Sequence, residues 1–129
     1  MTDFTDEYFQ KKLKPNQYKI LREADTEPPF SGEFDDFWKT GEYKCAGCGS
    51  ILFSSKSKYE AGCGWPSFWE ATDNSKIKLI DDTSLGMTRT EVKCGVCDSH
   101  LGHVFDDGPS EHGGKRYCIN SLSLDFDKS

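Results

Sequence analysis

Six cysteines and three histidines hold most of the chemical potential of this 129-residue chain. Four of the cysteines form two Cys-x-x-Cys turns, Cys45-Ala46-Gly47-Cys48 and Cys94-Gly95-Val96-Cys97. A two-residue gap lets one tight turn aim two thiolates at one ion. Two such turns complete a tetrahedral, all-cysteine zinc site, one ion per chain. Four thiolates leave no position for water, so such a site is structural rather than catalytic. Gly47, Gly49 and Gly95 suit the turns, because glycine tolerates positive φ. The stretch 49–93 between them is too long for a compact zinc ribbon, so the turns must meet through the fold. The alternatives are two redox dithiols or four reduced bystanders.

Cys63 and Cys118 remain. Cys63 lies in a turn-rich loop, Ala61-Gly62-Cys63-Gly64-Trp65-Pro66-Ser67-Phe68. Cys118 lies in a predicted strand, where alternation puts Arg116, Cys118 and Asn120 on one face and Tyr117 and Ile119 on the other. A cation two residues away favours the thiolate and predicts a depressed Cys118 pKa. A loop cysteine and a strand-held, cation-flanked cysteine suit a resolving and an attacking thiol. The alternative is a small buried core residue and an inert loop thiol.

Two histidines fall close together in His100-Leu101-Gly102-His103-Val104-Phe105. In a regular strand they face opposite ways. A bulge at Gly102 would bring them to one face, where they could handle protons beside a thiolate. His112, in a glycine-rich loop, is assigned nothing.

The elements that must position these groups are mainly β. The polar–apolar alternation Lys76-Ile77-Lys78-Leu79, the Thr-rich run 85–93 and a long final run 116–126 read as strands. The first third reads as a helical and loop-rich wrap. Thr5 caps a short helix with Asp6 and Glu7 in its first turn, and Phe4 and Phe9 stand at staple spacing. Pro15 opens a second helix with Tyr18 and Leu21 inward, and Pro28 and Pro29 stop it. Together these predict one domain, 1–129, of coiled antiparallel sheets with short N-terminal helices and a four-cysteine zinc site; residues 1–12 read as an N-terminal extension.

Composition narrows the partners. The chain carries 22 acidic against 16 basic side chains, a net charge of −6, which repels nucleic-acid backbones. A mean hydropathy of −0.69 is lean for a globular protein and makes a metal staple physically sensible. No apolar run approaches the roughly 18 residues of a membrane-spanning helix. The first residues lack a signal-peptide core, so a cytoplasmic location is expected, where paired cysteines serve metal or redox chemistry.

The blocks Gly62-Cys63-Gly64-Trp65-Pro66-Ser67-Phe68, His100-Leu101-Gly102-His103-Val104-Phe105, Asp107-Gly108-Pro109 and Arg116-Tyr117-Cys118-Ile119-Asn120-Ser121 resemble, in order and spacing, the signatures of B-type methionine sulfoxide reductases. The resemblance extends over about residues 13–124, including the N-terminal stretch 17–32. It implies reduction of the R epimer of free or protein-bound methionine sulfoxide, a repair reaction under oxidative stress. It assigns attack to Cys118 and resolution to Cys63, with regeneration by thioredoxin. It places Trp65 and Phe105 at the substrate methyl group, His100, His103 and Asn120 around the sulfoxide oxygen, and Arg116 and Asp107 near the nucleophile. A monomer is expected. The chain departs from the pattern at Lys14, where relatives often carry a capping threonine, and in the loop 110–115. Two rival readings remain: a zinc-ribbon binding module without turnover, and a general thiol–disulfide oxidoreductase using one Cys-x-x-Cys. The first has no need of Cys63 or of the Arg116–Cys118–Asn120 face.

Overall fold

A computed structural model of the chain describes residues 4–83 and 88–128. The N-terminal helices begin as their capping residues dictate. The Thr5 hydroxyl accepts the Tyr8 N–H at 3.1 Å and starts α1 (Asp6–Lys12). The Phe4 ring stacks 6.1 Å from that of Phe9 and staples the helix entry. Pro15 opens α2 (Pro15–Glu23), which buries Ile20 and Leu21 and leaves Tyr18 half-buried. Without a capping hydroxyl at Lys14, the Gln17 Oε1 accepts the Lys14 N–H at 3.0 Å. The helix ends earlier than the prolines suggested. Ala24 takes a left-handed conformation, φ 56°, and its N–H returns to the Lys19 carbonyl. Pro28 and Pro29 act only in the wrap that follows.

The strands run β1 (Gly41–Cys45), β2 (Ile51–Ser54), β3 (Lys58–Tyr59), β4 (Ser67–Phe68), β5 (Ile77–Asp82), β6 (Arg89–Cys94), β7 (His100–Phe105), β8 (Arg116–Ile119) and β9 (Leu124–Lys128). They form two antiparallel sheets, ordered β2-β1-β9 and β3-β4-β8-β7-β6-β5. The fold is therefore mainly β with two short helices, as expected. Of the expected strand 85–93, the part 85–87 lies outside the described residues, and β6 begins at Arg89. The alternation in β5 does not bury one face: Leu79 and Ile80 are exposed on this edge strand.

The expected single strand 116–126 is two strands in different sheets. After β8 the chain makes a 3-10 turn, Ser121–Ser123, and re-emerges as β9 beside β1. Serine side chains compete with the strand ladder for backbone groups. Here the Ser123 hydroxyl donates to the His100 carbonyl at 3.1 Å, and its N–H turns back to the Asn120 carbonyl at 3.0 Å. This crossing joins the two sheets.

Aromatic side chains fill the space between them. Tyr43 of β1 meets Phe68 of β4 at 5.1 Å between centroids, and Phe53 of β2 stacks on Phe68 at 4.5 Å. Phe34, Phe37 and Phe126 close one end of the cluster. Full burial of Phe34, Phe53 and Phe68 contributes about 1.5–3 kcal/mol each, which offsets the modest size of the core. Burial also pushes the Tyr43 hydroxyl up to about 12. Among the described residues, no helix is long and apolar enough to cross a membrane.

Candidate active site and metal centre

The two Cys-x-x-Cys turns meet at the junction of the sheets. The Sγ atoms of Cys45, Cys48, Cys94 and Cys97 all lie within 4.8 Å of one another. Cys45 to Cys97 and Cys48 to Cys94 are both 3.6 Å. Four thiolates at about 2.3 Å from one tetrahedral centre stand about 3.8 Å apart, so the set fits such an ion. The turns are built alike: Gly49 N–H returns to the Cys45 carbonyl at 2.8 Å, and Asp98 N–H to the Cys94 carbonyl at 2.9 Å. The left-handed residue is the one after each second cysteine, Gly49 at φ 81° and Asp98 at φ 66°. Gly47 and Gly95 do not have positive φ; they are small because of what they approach. A Cβ on Gly95 would stand 2.9 Å from the Lys76 backbone, and one on Gly47 would stand 3.0 Å from the Phe9 ring. The helices brace the turns, through the Tyr8 hydroxyl to the Gly47 carbonyl at 2.6 Å and Arg22 to the Cys97 carbonyl at 3.0 Å.

The other two cysteines converge elsewhere. Ser67 of β4 pairs with Cys118 of β8, which carries the preceding loop over the strand. The Cys63 Sγ is thereby 3.2 Å from the Cys118 Sγ. Cys118 lines a cavity of about 140 Å3 together with Thr26, Trp65, Arg89, Gly102, His103, Phe105 and Asn120. A volume of about 150 Å3 accommodates a benzene-sized molecule, so a thioether side chain fits. Cys63 opens instead onto a separate groove with Tyr59, Asp107 and Arg116. The Trp65 indole N–H donates to the Glu27 carbonyl at 3.0 Å, which fixes the ring as a cavity wall.

The charge of the thiol pair differs from expectation. The Cys63 thiol is lowered to about 5, first by its hydrogen bond with Cys118, then by Ser67, the Trp65 backbone and Arg116. Cys118 is pushed up, first by that same bond and then by burial, with Arg116 opposing. Arg116 has less influence than its strand position implied, because the Cys63 contact and burial outweigh it; its guanidinium is also paired with Asp107 at 2.8 and 3.2 Å. Its guanidinium also covers the Phe105 ring at 4.4 Å. Arg116 in turn holds the Asp107 carboxyl below the usual range.

The expected bulge is present, one residue earlier than predicted. In the β6–β7 register Val92 faces Gly102 and Lys93 faces His100, so Leu101 is the extra residue. It brings the two imidazoles within 5.5 Å between centroids. His103 stands directly across from Cys118. Gly102 allows this closeness, since a Cβ there would fall 2.1 Å from the Cys118 carbonyl oxygen. His100 is not in the cavity lining. It is buried behind His103 with Nδ1 2.7 Å from Glu91 Oε2, and burial lowers its pKa against the pull of Glu91.

Asn120 lines the cavity, but its amide is already engaged. Oδ1 accepts the Glu27 N–H at 3.1 Å, and Nδ2 donates to the Leu101 carbonyl at 3.0 Å. One amide N–H remains. Sequence reasoning missed Thr26, Glu27, Asp82, Arg89 and Glu91. Strand alternation already put Arg89 and Glu91 on one face, a readable signal. Glu27 is a buried acid in a stretch without periodicity, and no pattern marks it.

Comparison with known proteins follows the same residues. A family model described as SelR domain matches residues 13–128. The chain is 52% identical over 122 residues to "Peptide methionine sulfoxide reductase MsrB" of Leifsonia xyli subsp. xyli, covering 95% of this chain and 88% of that protein. It is 53% identical over 122 residues to the protein of the same name from Thiobacillus denitrificans, covering 95% and 92%. Among solved structures, the Mis18 'Yippee-like' domain is similar in fold alone, with a TM-score of 0.56 at 15% identity, over 70% of this chain and 98% of that one.

Proposed function

This chain belongs to the SelR-domain family and reduces methionine sulfoxide, and we propose that it acts on the R epimer through attack by Cys118 and resolution by Cys63. The observation that carries this reading is the division of the thiol pair. Cys118 lines the cavity, and Cys63 stands 3.2 Å away outside it. Position rather than charge therefore selects the nucleophile.

Trp65 and Phe105 supply apolar walls for the substrate methyl group. The sulfoxide sulfur is electron-poor, and its oxygen turns toward His103, with the remaining Asn120 N–H nearby. The Cys118 thiol gives up its proton as the bound sulfoxide oxygen gains one, so the exchange is neutral overall. The Cys118 thiolate attacks the sulfur while the oxygen is protonated. Methionine leaves, and the oxygen stays on Cys118 as a sulfenic acid. Cys63 displaces it, forming the Cys63–Cys118 disulfide and releasing water. A dithiol such as thioredoxin then reduces that disulfide and is itself oxidised.

The four-cysteine cluster is read as a structural zinc site. The ion would be held by Cys45, Cys48, Cys94 and Cys97, and it would supply cross-linking rather than reaction chemistry. The reading also takes the protein as a cytoplasmic monomer without nucleic-acid partners. Separated R and S epimers with dithiothreitol test the central claim. Methionine from the R epimer alone is expected; no methionine from either epimer would overturn it.

A further inference from the structure

The geometry points to Asp82 as a positioning residue that holds the neutral His103 ring in one tautomer at the reaction cavity. The inference rests on the reading of His103 as the group facing the sulfoxide oxygen. Asp82 belongs to none of the sequence blocks that carried the resemblance. It closes β5, where it pairs with Arg89 of β6.

Asp82 Oδ2 is 2.8 Å from His103 Nε2, and both side chains are largely buried, at 17% and 12% exposure. Arg89 Nη2 donates to the same Oδ2 at 3.2 Å, so the carboxylate bridges the arginine and the imidazole. A neutral imidazole carries one N–H. A carboxylate acceptor at Nε2 selects the form protonated there and leaves Nδ1 as the nitrogen without a protein partner among the described residues. That arrangement gives His103 a fixed ring plane across from Cys118. When Nδ1 also gains a proton, Asp82 balances the positive ring, and Nδ1–H becomes the donor to the oxygen. Glu91 does the equivalent for His100 from the same hairpin, at 2.7 Å. The β5–β6 hairpin thus supplies a carboxylate for each histidine, from outside the recognised motifs.

The competing account makes Asp82 a closure for the hairpin, with Arg89 as one of its partners. Imidazole 15N spectra of the reduced, substrate-free protein separate the two. At neutral pH the wild type is expected to show His103 protonated at Nε2 as a single form, whereas Asp82→Asn and Asp82→Ala show mixed tautomers. Asp82→Asn keeps a polar partner for Arg89, so it preserves the hairpin. Single-turnover methionine formation should fall at least about tenfold in both variants, with little change in KM, because Asp82 orients a proton donor and does not touch substrate. A wild-type His103 protonated at Nδ1 alone would overturn the proposal. So would an unchanged tautomer and turnover in Asp82→Asn and Asp82→Ala. If the wild type reduced neither epimer while the tautomer lock and its loss were observed, the proposed function would fail and the positioning role would stand.

Discussion

The Sγ of Cys118 lies 3.2 Å from the Sγ of Cys63, close enough for one proton to serve both. That contact lowers the Cys63 thiol and raises the Cys118 thiol. Cys63, lowered to about 5, is mostly thiolate at about pH 7 and loses its charge as the pH falls through about 5. Iodoacetamide at about pH 6–7 should therefore label Cys63 first, with labelling falling away below about 5. In Cys63→Ser the hydrogen bond and charge that raise Cys118 are gone, so Cys118 should label faster than in the wild type. Equal labelling of both thiols at every pH would refute this ordering.

Attack and resolution separate in the two serine variants. Cys118→Ser should form no methionine, since a hydroxyl is a far weaker nucleophile. Cys63→Ser should form up to one equivalent and then stop, with dimedone capturing a sulfenic acid on Cys118. Its thioredoxin-driven turnover should collapse. Full thioredoxin-dependent rates in Cys63→Ser would remove Cys63 from the resolving role.

One zinc per chain is expected in protein prepared without chelator, measured by elemental analysis. Cys94→Ser should release it and lower the thermal midpoint sharply, because metal binding and folding are coupled. Metal-free protein of unchanged stability would sink the structural reading.

Asn120→Ala should weaken the fold as well as the reaction. It leaves the buried Glu27 N–H without its acceptor, while the Leu101 carbonyl keeps the Asn120 backbone N–H at 2.9 Å. A buried group left unpaired costs about 1–3 kcal/mol, readable as a lower urea midpoint. A midpoint equal to that of the wild type would show that the wrap is held by other contacts.

Much of this molecule is legible in the sequence wherever chemistry is local. The doubled Cys-x-x-Cys spacing picked out the four cysteines that the fold brings together where a metal ion could bind, because two thiols three positions apart share one turn. The Thr5 cap and the Phe4–Phe9 staple could be read for the same reason: their partners lie within a few residues. The Cys63, His100–Phe105 and Arg116–Asn120 blocks carried the family resemblance. Long-range register was not legible. Nothing in the run 116–126 shows that Ser123 would bind the His100 carbonyl and send the chain into a second sheet. Nor does Arg116 reveal its pairing with Asp107, or that Cys63 rather than Cys118 is the lowered thiol. A charge two residues away is a sequence fact, but its effect depends on burial, on competing ion pairs and on the sulfur beside it. Those are set when distant strands pair, so the tertiary structure alone decided which thiol is lowered, which is raised and which faces the cavity.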